Sequence, residues 1–271
     1  MSASQHAAAF HALHKGPEIL LLPNAWDAGS ARIIESVGAK AIATSSAAVA
    51  WSHGYADGHD LPVALLVRTI EQIARVVHIP ITADAEGGYS DDPAEVGRNV
   101  EALCKAGAVG INLEDGRDAP ELHARKVAAA REGAQRAGVD LYINARTDVY
   151  LKRLVPPEEM AAESIRRGLI AKEAGASGLF VPGVTDEKEI AAIVKGVGIP
   201  VNIMARPGVP PAAKLQALGA RRLSAATGVA AAAWATVRAA TYAFLAEGDS
   251  EVLAQHAGAP FNYNELFKPK A

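Results

Sequence analysis

Short apolar runs recur along the chain, at 19–23, 41–45, 81–85, 110–115, 141–146, 178–183, 201–205 and 221–226, with longer helical patterns between them. Runs of this length, apolar throughout, suit strands buried on both faces of a parallel sheet that helices cover. The segment 60–77 is the clearest helix, with Asp60 as its cap and Pro62 in its first turn. The segment 91–108 repeats that logic, opening on Asp92-Pro93 and closing at Gly107. Three turns, at 37–42, 106–111 and 174–179, look alike because each ends a helix with glycine and feeds a strand. Eight such units predict a (β/α)₈ TIM barrel, and the same rhythm would also serve an open doubly wound sheet. One domain over 1–271 is expected, with 241–271 as a C-terminal helical extension. That extension either packs on the outside or reaches a neighbouring subunit.

Composition narrows the picture. A chain of 271 residues fills one large α/β domain, and 50% hydrophobic with only 5% aromatic residues suits many close helix–sheet contacts. A net charge of -3 without a basic cluster argues against nucleic acid as a partner. Cys104 is the only cysteine, so no internal disulfide can form, and a reducing, cytoplasmic setting fits. The first residues lack the pattern of a secretory signal; Phe10 and Leu13 are expected to pack a short helix onto the barrel. The alanine-rich stretch near 228–240 is interrupted by Arg238 and falls short of the roughly 20 apolar residues a membrane span needs, so no membrane role is expected.

Candidate chemistry lies at the strand ends. Asp84 and Glu86 leave the third strand, Glu114 and Asp115 leave the fourth, and Asp57 sits in a glycine-bearing loop after the second. Acids gathered at one mouth repel one another unless a cation compensates. Mg²⁺ fits best, because it takes oxygen ligands and usually binds through one or two carboxylates plus waters and substrate oxygens. No His or Cys is interleaved in these motifs, which disfavours zinc. Asp84 stands out, being an acid within the last residues of an apolar strand, where burial without a partner is costly. Asp115 and Asp91 are expected to cap helices or stay in water. Cys104 is expected to be an inert buried thiol and His123 a solvated helix-start residue. His53, His59, Tyr55 and Tyr89 are expected to decorate or pack mobile loops.

Several motifs then resemble, in order, the isocitrate lyase/phosphoenolpyruvate mutase superfamily: the opening from LLPNAWDAGS to SSAAVA, then DAEGGYS, INLED and NARTD. The resemblance spans about residues 17–230 and implies a Mg²⁺ enzyme acting on a small 2-oxo or 2-hydroxy dicarboxylate, in a homotetramer with exchanged C-terminal helices. It implies that Asp84 contacts the metal directly while Asp57, Glu86 and Glu114 hold its waters. Ser45 and the N–H groups of Ser46 and Ala47 would hold the substrate's carboxylate and oxo group, Arg146 would pair with a carboxylate, and Asn202 would touch the substrate's distal end. Glu86 stands where many members have Asp, and Ser46 where many have Gly. The lyases' Lys-Lys-Cys-Gly-His loop is replaced here by EDGRDAPELHARK, without its cysteine.

With that cysteine missing, C–C cleavage by oxaloacetate-like decarboxylation is favoured, because loss of CO₂ to an enolate needs an electron sink, a clamp and a late proton and little else. Asp57 and Arg146 are the catalytic candidates. (Methyl)isocitrate lyase-like cleavage, C–P cleavage of phosphonopyruvate, and non-catalytic binding of a 2-oxo acid such as 2-oxoglutarate are the alternatives.

Overall fold

The computed structural model describes residues 2–257 and 261–268. Its strand segments are β1 (Leu20–Leu22), β2 (Asn24–Ala25), β3 (Ile42–Thr44), β4 (Ile81–Asp84), β5 (Gly110–Glu114), β6 (Tyr142–Arg146), β7 (Gly178–Phe180), β8 (Val201–Met204) and β9 (Arg222–Ser224). All pair in parallel, in the order β1-β9-β8-β7-β6-β5-β4-β3-β2. The two ends of that order are one stretch of chain broken at Pro23, which lacks the N–H needed to continue a ladder. Before the break the strand pairs with β9, and after it with β3. The split brings the two ends of the sheet together, so the eight expected strands form a nearly closed parallel barrel and the open alternative drops out.

Helices cover the barrel where the pattern placed them. Asp92 caps the helix Pro93–Ala106, its carboxylate accepting from the Ala94 N–H at 3.0 Å, and Gly107 ends it at φ 117°. That helix packs against Pro120–Arg136 through facing glycines: a Cβ on Gly133 would lie 2.1 Å from the Gly97 carbonyl oxygen. The helix before β4, expected from residue 60, begins later, at Val63, with Pro62 at the cap position and no side-chain cap. Asp60 is two residues too early to reach the first helical N–H groups, and buried Leu61 anchors the entry instead.

The helix Ala3–Leu13 closes the barrel floor, fixed by a Ser2/Gln5 capping box. Phe10 is wholly buried and Leu13 partly so, as expected. Burial of such a side chain contributes ~1.5–3 kcal/mol. Phe10 fits only because β5 opens on glycine: a Cβ on Gly110 would lie 2.6 Å from the Phe10 ring. Tyr142 and His14 stack at 3.9 Å beside it.

After β9 a continuous helix runs Gly228–Glu247, followed by Glu251–Ala257 and Tyr263–Phe267. The boundary expected at 241 therefore falls inside a helix, and 258–260 and 269–271 lie outside the described residues. The apolar stretch is also longer than expected: Gly228–Ala246 is long and apolar enough to cross a membrane by length and composition. Arg238 lies within it, where charge is expensive in hydrocarbon. The helix is largely exposed, with Trp234, Val237, Tyr242, Phe244 and Leu245 open to solvent.

Candidate active site

Parallel strands in a barrel all deliver their C-terminal ends to one face, which is where Asp84, Glu114 and Arg146 emerge. Asp84 is buried; its backbone N–H donates to Thr44 Oγ1 at 2.8 Å, and its Oδ2 accepts from the Ser46 N–H at 3.2 Å. Its Oδ1 is buried with no hydrogen-bond partner. A carboxylate oxygen in that condition is costly unless a cation or donor reaches it.

Glu86 follows two residues later with φ 47°, a left-handed conformation that side chains seldom adopt. His59 at φ 72° and Tyr89 at φ 60° share it. Strain of this kind costs of order 1–3 kcal/mol per residue and persists where surroundings over-determine the conformation. Here they do. Glu86 Oε2 accepts from the His59 N–H at 2.6 Å, Glu86 Oε1 accepts from the Tyr89 hydroxyl at 3.1 Å, and the Gly87 N–H donates to His59 Nε2 at 2.9 Å. Burial, with Asp84 adding to it, pushes the Glu86 carboxyl above the usual range, while His59 opposes the shift. Burial and the neighbouring acids likewise raise the Tyr89 phenol.

Glu114 and Arg146 are register partners on β5 and β6, and their side chains pair at 2.6 Å. Burial pushes the Glu114 carboxyl up to about 7, although Arg146 pulls it down. Arg146 Nε also donates to Asp148 Oδ1 at 2.7 Å, and its guanidinium lies 5.9 Å from the Phe180 ring centre. These acids hold its guanidinium charged despite burial.

The remaining candidates lie further out or deeper. Ser45 caps the helix Ser46–Ser52, its hydroxyl accepting from the Ala48 N–H at 3.5 Å. Ala47 is buried beside Ser46. Asp57 lies on the exposed rim segment 51–60, close enough for its charge to raise the Tyr89 phenol. Asn202 is buried within β8, its amide paired with Ser224 at 3.3 Å. So the structure gathers Asp84 with Ser46, Glu86 with His59 and Tyr89, and Glu114 with Arg146 close enough for Asp84's charge to act on Glu86, Glu114 and Arg146, while it leaves Asp57 at the rim and holds Asn202 inside the barrel.

Other expectations change. Asp115 neither caps a helix nor meets water; it is buried, accepting from Thr147 Oγ1 and the Asp148 N–H at 2.8 Å each and pairing with Arg167 at 2.9 Å. His123 is buried rather than solvated, with Nε2 2.9 Å from the Leu113 carbonyl oxygen, and burial lowers its pKa. His59 and Tyr89 belong to the Glu86 network, whereas His53 bonds Thr69. Cys104 is buried and its thiol is pushed up to about 12, which makes it inert. The sequence reading missed Asp148, Lys152 and Arg167. Asp148 had a signal, two residues beyond Arg146 in NARTD; Arg167 had none, lying 52 residues from its partner.

A cavity of about 500 Å³ opens beside Glu114, with His59, Tyr89, Arg117, Lys126 and Lys152 among its walls. Among the described residues no three His, Cys, Asp or Glu side chains stand close enough to enclose a metal ion by themselves. That disfavours a closed protein cage. One buried carboxylate oxygen without a partner, with further acids nearby, fits a hard cation that keeps most of its own waters.

The sequence profile of the phosphoenolpyruvate phosphomutase family matches residues 10–245. An uncharacterized protein of Mycobacterium tuberculosis is 34% identical over 219 residues, covering 79% of this chain and 80% of its own. The oxaloacetate decarboxylase of Pseudomonas fluorescens is 31% identical over 186 residues, covering 62% of this chain and 61% of its own. Among solved structures, one from Burkholderia cenocepacia, provisionally described as a lyase/mutase, is 32% identical with a TM-score of 0.89, covering 98% of this chain and 97% of that one.

Proposed function

The chain belongs to the phosphoenolpyruvate mutase/isocitrate lyase superfamily, and from that premise we propose that it is a Mg²⁺-dependent lyase acting on a small 2-oxo or 2-hydroxy dicarboxylate. The reaction we favour is C–C cleavage by decarboxylation of an oxaloacetate-like substrate. The observation that carries this reading is the buried, unpartnered Asp84 Oδ1 beside the Glu114–Arg146 pair.

Asp84 Oδ1 would hold the metal directly, with Glu86, Glu114 and Asp57 acting through water. Mg²⁺, when bound there, would supply Lewis acidity that stabilises the enolate charge left on the substrate when the bond between C3 and its carboxylate breaks and CO₂ departs. Ser45 and the 46–47 backbone border the place for those oxygens, with the Ser46 N–H already committed to Asp84. Arg146 orients a substrate carboxylate, since its planar fork is preset by Glu114 and Asp148. Asn202 would act through the barrel interior at the substrate's far end. Asp57, on the rim, would close over the ligand and help exclude water.

Decarboxylation is preferred over retro-aldol cleavage because the latter needs a positioned acid and base, and the 115–123 segment supplies no cysteine. The oxaloacetate decarboxylase relative supports the same choice. The exposed apolar residues of Gly228–Glu247 support a homo-oligomer, with a tetramer favoured, and the single buried thiol suits a cytoplasmic enzyme.

The test is Mg²⁺-dependent turnover of oxaloacetate, 2-methylisocitrate, isocitrate and phosphonopyruvate, with Asp84→Ala alongside and spontaneous oxaloacetate decay subtracted. Oxaloacetate consumption by the wild type that the variant lacks supports the reading. Thermal stabilisation by 2-oxo acids plus Mg²⁺ without any turnover would replace it with a binding protein.

A further inference from the structure

The middle of such a barrel is ordinarily filled by branched apolar side chains. Here it holds Arg222, which is 1% exposed and the bulkiest of the fully buried residues. Arg222 Nη2 donates to Asn112 Oδ1 at 3.2 Å, an oxygen that also accepts from Asn144 Nδ2 at 2.9 Å. β9 and β5 are not neighbours in the sheet, so this contact crosses the barrel interior. Arg222 Nε and Nη1 have no partner, and among the described residues no carboxylate lies within ion-pair distance of the guanidinium. Burial lowers the group to about 10, which still leaves it charged at neutral pH. Below it, the buried Tyr142 hydroxyl and His14 Nε2 are also unpartnered, and burial holds His14 neutral at about 3.

An unpaired buried cation costs several kcal/mol, so the position needs an account. Asn112 supplies it, because it is the register partner of Asp84 on the adjacent strand. The guanidinium that touches Asn112 is thereby brought within charge range of the carboxylate whose Oδ1 is free, and Asp84 is the carboxylate whose charge supports it.

We infer that Arg222 is a positioning residue, a fixed positive charge beneath the site that strengthens the hold on anionic ligands and restrains divalent-cation affinity, acting through Asn112 and Asp84 without touching substrate. The inference rests on reading the site as one for Mg²⁺ and a carboxylate. It has a signature that loss of packing lacks: removing the charge moves the two affinities in opposite directions.

The experiment is calorimetry on the full chain with Mg²⁺ alone, then with oxalate at saturating Mg²⁺, for the wild type, Arg222→Met and Arg222→Lys. Methionine removes the charge and keeps an unbranched apolar chain in the barrel; Arg222→Gln serves under the same criterion if the methionine variant does not fold. At an effective dielectric of ~20, we expect Arg222→Met to bind Mg²⁺ roughly tenfold more tightly and oxalate roughly tenfold more weakly, with Arg222→Lys near the wild type in both. Affinities that fall together, or that do not move, would make Arg222 a core residue and nothing more. A wild type that binds neither probe overturns the reading of the site itself, and this inference with it.

Discussion

Two loops rise from the same face of the barrel and border the same cavity, yet they are fastened by different physics. The segment 115–118 is held by buried charge: Asp115 pairs with Arg167 at 2.9 Å, Asp118 pairs with Lys126 at 2.8 Å, and Arg167 Nη1 donates to the Asp118 carbonyl at 3.1 Å. The segment 51–60 is exposed throughout and bends at Gly54 and Gly58, both with positive φ. It meets the site through His59, whose backbone and ring engage Glu86 and Gly87. A loop fixed by desolvated ion pairs opens only by breaking them, whereas one hung on a few hydrogen bonds opens at small cost. The difference makes 51–60, which carries Asp57, the more loosely fastened side of the mouth.

Arg167→Ala is the harshest way to break that comparison. It leaves Asp115 buried without its cation, and we expect a loss of ~3–5 kcal/mol in urea unfolding. A loss below about 1 kcal/mol would place 115–118 among ordinary surface loops.

The acids between the loops give a smaller effect with a definite sign. In metal-free protein burial outweighs the pull of Arg146 and pushes the Glu114 carboxyl up to about 7, against 4.5 for the free group, so we expect it to hold its proton further up the pH scale than the unfolded chain does. The native state thus binds the extra proton between those values, so stability present below pH 4.5 falls as pH rises and is fully lost above 7, by up to ~3 kcal/mol. Thermal melts across this range should show the decline, and Glu114→Gln should flatten it. An unchanged slope in the variant would assign the titration elsewhere.

The gentlest change sharpens the contrast. His59→Ala should cost ~1 kcal/mol or less globally, while hydrogen exchange across 53–60 becomes faster and that across 115–118 does not. Equal acceleration in both segments would mean that the mouth opens as one unit.

What could be read beforehand follows from the same distinction between local and distant causes. The strands, the helix Pro93–Ala106 and the acids at Asp84 and Glu114 are local: an apolar run, a cap, a glycine, a carboxylate ending a strand. Asp92 and Gly107 perform as their neighbours in sequence predict. Arg167 and Arg222 were hidden because their roles depend on residues 52 and 110 positions away. RRLSAA reads as an ordinary strand whether its second arginine faces solvent or crosses the barrel. Pro23 was visible, but its splitting of the first strand depends on which neighbours that strand meets. His123 sits at a helix start, where exposure is usual, and only the packing of that helix over β5 buries it.

The central claim is that the free oxygen of Asp84 is the seat of a divalent cation. Calorimetric titration of Mg²⁺ into the wild type and Asp84→Asn tests it most directly, since asparagine keeps the shape and removes the charge. The account predicts saturable one-site binding to the wild type and none to the variant at the same concentrations. Equal binding to both would place the cation elsewhere and contradict the site described.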